Sequence, residues 1–253
     1  MRKSLNAMKH IFANWKMYLD FDESCILANQ LLSEPFDEEK VNLAFFPNFL
    51  AVSELVKIFR DTAVAVGAQT CAWTPKGAYT GAVSAHLLKQ VGCAYVLVGH
   101  SERRYIFGES NEDTRKRLEA ALDAGLTPIL CIGETEEDLK EQKREYRLKK
   151  QLMKALDGLD LSGRPLFIAY EPVWAIGSGK SCQPSDADDV HGWIRTEVKQ
   201  YTDAEIPVLY GGSVDYANVI EYLSRETVDG VLVGGASTKM ETFLPLIRAA
   251  EQE

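Results

Sequence analysis

No apolar run in the 253 residues approaches the roughly 18 that a membrane-spanning helix needs, so no membrane anchor is expected. No Cys-x-x-Cys pair occurs among the five cysteines, Cys25, Cys71, Cys93, Cys131 and Cys182, and their number is odd. That speaks against a disulfide framework and against paired thiolate ligands for zinc, and for thiols in a reducing, cytoplasmic setting. No Pro/Ser-rich or strongly charged stretch offers a linker, so one domain over residues 1–253 is expected. Excess positive charge is missing too. A formal net charge of −9 gives no long-range attraction to nucleic acid or an anionic membrane. An anionic small molecule stays open, provided that a few cations are focused in one cleft. The opening "MRKSLNAMKHIFANWKMY" has basic residues but no continuous apolar segment and no cleavage site, so no signal peptide is expected. Met1 and Met8 are both possible starts.

What is present is a rhythm. Short apolar runs recur as "HIFANWK", "VNLAFFP", "VAVGAQT", "YVLVGH", "TPILCIGE", "LFIAYEP", "IPVLYGGS" and "GVLVGGA". Each is too short for a helix and too continuously apolar for a half-exposed strand, as parallel strands buried on both faces should be. Between them lie segments of helical period, clearest at 111–124, 135–156 and 185–201. The first opens at Asn111 with early acids; the last opens at Ser185 and Asp186, which can cap free N–H groups. The charge-dense 135–156 stretch is expected to be one long solvated helix. Eight strand–helix units in a chain that is 46% hydrophobic predict an α/β fold, a single closed (β/α)₈ barrel.

Barrels of this kind carry their chemistry at the C-terminal ends of the strands. There the first run offers Asn14 and Lys16, the fourth His100 with Ser101 and Glu102, and the sixth Glu171. Lys16 alone would read as a surface lysine, and Glu171 as a rim ion-pair partner. Yet Glu171 lies among Tyr170, Pro172, Val173 and Trp174, an apolar setting that strengthens a carboxylate as a base. His10, His86 and His191 fall at a strand start or in helices and read as structural. "YGGSV" and "VGGAST" are turns whose backbone N–H groups can approach an anion, the second opening a short helix.

Three motif fragments fail. "GSGKS" lacks the earlier glycine of a P-loop, because Trp174 stands there. "GSGKSC" puts Cys182 where a dinucleotide fingerprint needs its third glycine. "GHSER" puts Arg103 where a nucleophile elbow closes with glycine.

With "NWKM", "VGHSERR", "PILCIGE", "AYEPVWAIGSGK", "YGGSV" and "VGGAS" in this order, the chain closely resembles the triosephosphate isomerase family from about residue 10 to residue 250. The resemblance implies interconversion of dihydroxyacetone phosphate and D-glyceraldehyde 3-phosphate, with no metal and no organic cofactor. It implies Glu171 as the base and His100 as the neutral electrophile, a pairing for which this family is itself a well-known illustration. It further implies Lys16 as the compensating cation, Asn14 as an orienting group and Glu102 in support. The N–H groups of Gly177, Ser213, Gly234 and Gly235 match a phosphate cradle. Pro172-Val173-Trp174 and Lys180-Ser181-Cys182 match the two ends of a lid, with Ile176 and Leu232 closing on Glu171. Residues 67–84 match a loop that joins two subunits, with Thr80 reaching the partner's site, so a homodimer is implied.

The chain departs from the family pattern at Tyr18, Ala82, Ser178, Ser181 and Thr238, none of them in the proposed chemistry. Ala82 bears on the subunit contact and Thr238 on the pocket wall. Two rival readings remain: a Schiff-base aldolase or other phosphate-binding barrel enzyme using Lys16, and a non-catalytic phosphosugar-binding scaffold.

Overall fold

A computed structural model describes residues 8–177 and 181–253 of the chain. Its first half runs β1 (Lys9–Asn14), α1 (Phe21–Leu32), β2 (Val41–Phe46), α2 (Phe49–Ile58), β3 (Ala65–Ala68), α3 (Ala85–Val91), β4 (Tyr95–Val98), α4 (Ser101–Tyr105) and α5 (Asn111–Asp123). Then follow β5 (Thr127–Ile132), α6 (Glu136–Lys140), α7 (Arg144–Leu156), β6 (Phe167–Tyr170), α8 (Pro184–Val198), β7 (Val208–Tyr210), α9 (Val219–Leu223), β8 (Gly230–Val233) and α10 (Met240–Ala250). The strands pair in parallel in sequence order, and β1 closes on β8 with His10 opposite Gly230. The predicted (β/α)₈ barrel is the observed one, and each apolar run becomes a strand. No helix among the described residues is long and apolar enough to cross a membrane.

Side chains alternate across each strand, and the alternation divides the apolar residues into two cores. Ile11, Ala13, Leu43, Phe45, Val96 and Val98 point outward and pack under the helices. Phe12, Ala44, Phe46, Leu97, Ile129, Phe167, Ala169 and Leu209 point inward and fill the barrel. At the floor, rings meet rings: His10 lies 4.8 Å from Phe167, and Phe12 lies 5.0 Å from Tyr95 and 5.4 Å from Phe167. Gly67 is required there, since a Cβ would collide with the Phe46 ring. Asn42 caps this cluster by donating to the Tyr95 hydroxyl at 3.2 Å.

Two details differ from expectation. The 135–156 stretch is two helices, because the chain turns at Gln142, whose φ is +57°. The break lets Arg144 reach the Asp186 carboxylate with both guanidinium ends (2.7 and 2.9 Å) and Glu134 at 3.3 Å. Those charge-assisted contacts offset the interrupted helix. One helix start is also displaced. Helix α5 opens at Asn111 as expected, capped by Ser110, which exchanges bonds with Asp113 in a capping box. Helix α8 starts at Pro184 after Gln183, with no side-chain cap from Ser185, and ends at Val198 rather than 201. All five thiols are free, and burial pushes Cys71 and Cys93 up to about 12.

Candidate active site

Inward parity continues past the ends of the strands, and it selects the rim. Two residues beyond Phe12 comes Asn14; two beyond Ala169 comes Glu171; two beyond Leu209 and Leu232 come Gly211 and Gly234. These positions surround the barrel mouth. A cavity of about 280 Å³ there is lined by Asn14, Lys16, His100, Ile176, Gly177, Gly211, Gly212, Ser213, Leu232, Gly234 and Gly235, among others. A larger groove of about 480 Å³ between α1 and the β8–α10 connection shares Tyr18 and Gly235 with it. Neither Lys16, His100 nor Glu171 reaches that groove.

His100 caps α4: its Nδ1 accepts the Glu102 N–H at 3.2 Å. A ring nitrogen that accepts carries no proton, so the network assigns the ring proton to Nε2. Asn14 is fixed in turn, because its Oδ1 accepts the Lys16 N–H at 3.1 Å and its amide nitrogen then lies 3.3 Å from Nε2. With a proton on each, these two nitrogens cannot bond to one another. Both are donors, and both residues line the one cavity. An oxygen placed between them would accept from two sides, which is how a carbonyl is polarised.

Lys16 is held in an unusual backbone conformation, φ +52°. Gln69 fixes it there, donating one amide to Lys16 O at 2.6 Å and to Phe46 O at 2.9 Å. Its ammonium meets Glu102 Oε1 at 2.7 Å and passes beside Gly234, where a Cβ would stand 3.4 Å from Lys16 Cε. The site thus holds a cation next to a backbone turn without a side chain.

Glu171 is 2% exposed and sits behind the cavity wall rather than in it. Oε2 accepts the Ser101 N–H at 2.7 Å. Oε1 lies 3.2 Å from His100 Nε2 without hydrogen-bond alignment and has no other partner among the described residues. Two glycines make room for it. A Cβ at Gly133 would overlap the Glu171 carbonyl, and one at Gly211 would press on Glu171 Cγ at 3.0 Å.

The segment after Glu171 is tied down at its start by Glu134. This buried carboxylate takes Trp174 Nε1 at 2.8 Å, the Tyr170 hydroxyl at 3.0 Å and Arg144 Nε at 3.3 Å. Burial raises its proton affinity, and those partners offset part of the rise. Further on, Ser213 Oγ donates to Ala175 O at 2.6 Å. Ser178, Gly179 and Lys180, which the lid comparison includes, lie outside the described residues. The N–H groups of Gly177, Ser213 and Gly235 find no acceptor among the described residues, and all three residues line the cavity. Converging free N–H groups suit an anion.

Of the site residues named from sequence, Asn14, Lys16, His100, Gly177, Ser213, Gly234 and Gly235 line this cavity, Glu102 lies outside it against Lys16, and Glu171 sits behind its wall. Four supporting groups escaped that reading: Gln69, the Ser101 N–H, Gly133 and Glu134. Gln69 stands two residues past inward Gly67, so the parity rule would have found it. The other three histidines lie away from the mouth. His10 is in the floor, His86 is exposed on α3, and His191 is buried on α8.

Comparison with known proteins gives one answer. The triosephosphate isomerase family model matches residues 9–250. A triosephosphate isomerase of Dictyoglomus thermophilum is 39% identical over 246 residues, 95% of this chain and 99% of that one. One from Dehalococcoides mccartyi is 41% identical over 244 residues, covering 95% of each chain. One from Trichodesmium erythraeum is 41% identical over 253 residues, 98% of this chain and 99% of its own. A match along almost the whole length, on a barrel whose mouth gathers these residues, places the chain in the triosephosphate isomerase family.

Proposed function

We propose that the protein interconverts dihydroxyacetone phosphate and D-glyceraldehyde 3-phosphate through an enediolate. The observation that carries this reading is the pair of donors, His100 Nε2 and Asn14 Nδ2, sharing one cavity with the Lys16 ammonium while an unaligned carboxylate oxygen of Glu171 waits 3.2 Å from that imidazole. A carbonyl oxygen held by the donors makes the neighbouring C–H acidic. Glu171 leaves the Ser101 N–H, takes that proton and returns it to the adjacent carbon. His100 gives its Nε2 proton to one oxygen and recovers one from the other, so substrate and product differ only in where two hydrogens sit. Lys16 offsets the negative charge of enediolate and phosphate, and Glu102 holds Lys16 in place. The N–H groups of Gly177, Ser213, Gly234 and Gly235 grip the phosphate. Ile176 and Leu232 exclude water, which strengthens each of these electrostatic contacts. Side chains suffice for every proton movement, so the reaction calls for no metal and no organic cofactor.

We infer also that the chain acts as one domain over 1–253 and as a homodimer through residues 67–84, with Thr80 offered to the partner's site. Exposed Trp73 and Tyr79, whose rings meet at 6.1 Å within that loop, support an apolar contact there. The free thiols fit a cytoplasmic location.

Purified protein, without added metal or cofactor, is expected to convert D-glyceraldehyde 3-phosphate rapidly. Binding of inorganic phosphate without turnover would leave the scaffold reading. A borohydride-trapped adduct at Lys16 would establish the aldolase reading instead; the 2.7 Å ion pair to Glu102 suits a cation, not a free amine nucleophile.

A further inference from the structure

Tyr222, in the short helix α9, is 1% exposed and does two things at once. Its ring stacks on Tyr210, with centroids 4.1 Å apart and planes 13° from parallel. Its hydroxyl donates to the carbonyl of Cys182 at 2.6 Å. Tyr210 is the last residue of β7, and its ring folds back beneath the cradle: a Cβ at Gly212 would collide with the Tyr210 hydroxyl. Cys182 is where the segment that began at Glu171 rejoins the barrel, just ahead of α8.

The same β7–α9 connection holds the other side of that segment, through Ser213 Oγ and Ala175 O at 2.6 Å. The connection is itself braced, since Asp215 Oδ1 accepts the N–H groups of Ala217 at 2.9 Å and Asn218 at 3.2 Å. One braced piece of chain therefore carries the glycine cradle and bonds to Ala175 on one side and to Cys182 on the other. A leucine at 222 would fill the space against Tyr210. Only a hydroxyl there reaches the Cys182 carbonyl.

We propose that Tyr222 is a positioning residue for phosphate binding: its ring backs Tyr210 beneath the Gly211–Ser213 cradle and its hydroxyl ties that ring to the Cys182 carbonyl ahead of α8, so that the cradle N–H groups stay aimed at one anion. The proposal rests on the phosphate-gripping site argued above. It acts through Tyr210 and Cys182 and touches no reacting atom.

Tyr222→Phe keeps the stack and removes the hydrogen bond. Losing one buried hydrogen bond in a water-excluded setting is expected to raise KM for D-glyceraldehyde 3-phosphate, and the inhibition constant of inorganic phosphate, each about fivefold to tenfold, with a smaller loss of kcat. Partial unfolding would do the reverse, lowering apparent kcat through the active fraction and leaving KM alone. Tyr222→Leu should weaken phosphate further; should it fail to fold, Tyr222→Phe still decides. Equal KM and equal phosphate inhibition in wild type and Tyr222→Phe would overturn the proposal, whatever happens to the melting temperature. If the wild type turns over no triose phosphate, the isomerase reading fails separately. Calorimetry with inorganic phosphate then decides this one, weaker binding by Tyr222→Phe supporting it and equal binding overturning it.

Discussion

At the floor of the barrel, His10, Phe12, Tyr95 and Phe167 meet ring to ring. At the rim, a few residues further along the same strands, the inward positions hold Asn14, Glu171, Gly211 and Gly234 around a cavity of about 280 Å³ or just behind its wall. The floor is stabilised by burial and close packing, which have no preferred direction. The rim depends on donors and acceptors aimed at a molecule that arrives later, so some stay unpaired until it does. Among the described residues, Glu171 Oε1 and the Gly177 and Ser213 N–H groups are such atoms. Stability and chemistry are thus divided along one axis, and substitutions at the two ends should fail in different ways.

The sharpest separation comes from Glu171→Gln. The amide oxygen can still accept the Ser101 N–H, so the thermal midpoint should stay near that of the wild type. Removing the base should lower kcat about 10³- to 10⁴-fold, roughly 4 to 5 kcal/mol of barrier. A variant that keeps a tenth of its kcat would take the base role away from Glu171.

Phe12→Ala is the opposite case. It opens a hole among four rings and should cost about 4 kcal/mol of folding stability in denaturant titration, with KM near the wild-type value at temperatures where the protein is folded. A large KM change in that variant would mean that floor and rim are coupled, and the comparison would break.

A smaller effect lies between the ends. His191, fully buried on α8, donates Nδ1–H to Thr227 O at 3.3 Å, while its Nε2 has no partner among the described residues. Burial lowers its pKa from 6.5 to about 4. The unfolded chain therefore takes up a proton near pH 6.5 that the folded chain refuses until about pH 4. The stability tied to the neutral ring is whole above pH 6.5 and drains away as the pH falls, approaching roughly 3 kcal/mol lost at pH 4. Urea midpoints of wild type and His191→Gln, compared at pH 7 and pH 4.5, should show a steeper acid loss in the wild type. Parallel curves would remove the histidine from the acid response.

Legibility in the sequence followed the range of the interactions. The strands were readable because burial on both faces leaves a continuous apolar run, and the rim followed because strand ends are where the runs meet glycine, histidine and acid. What depends on distant partners was hidden. The turn at Gln142 exists so that Arg144 can reach Asp186, 42 positions away, and helical period between 135 and 156 says nothing of that. Gln69 falls on the inward parity of strand three, but its bond to Lys16 O, 53 positions away, is not written in that parity. Helix α8 starts at Pro184, one residue ahead of Ser185, because proline's fixed φ suits the first helical position and its missing N–H needs no cap there. Glu171 was found by name but not by posture, since its hold on the Ser101 N–H joins strands six and four.

The alternation along β6 has a consequence for insertions and deletions. Ala169 and Glu171 face the barrel axis while Tyr170 between them packs outward. Shortening that strand by one residue would exchange their directions, driving a carboxylate into the oily layer under α7 and α8 and a phenol into the mouth. Adding or removing two would restore the facing but change the height. Length variants in the helices and outer loops leave this odd–even bookkeeping untouched. The chain can drift freely in size around its circumference, yet along the eight strands it is locked to whole pleats.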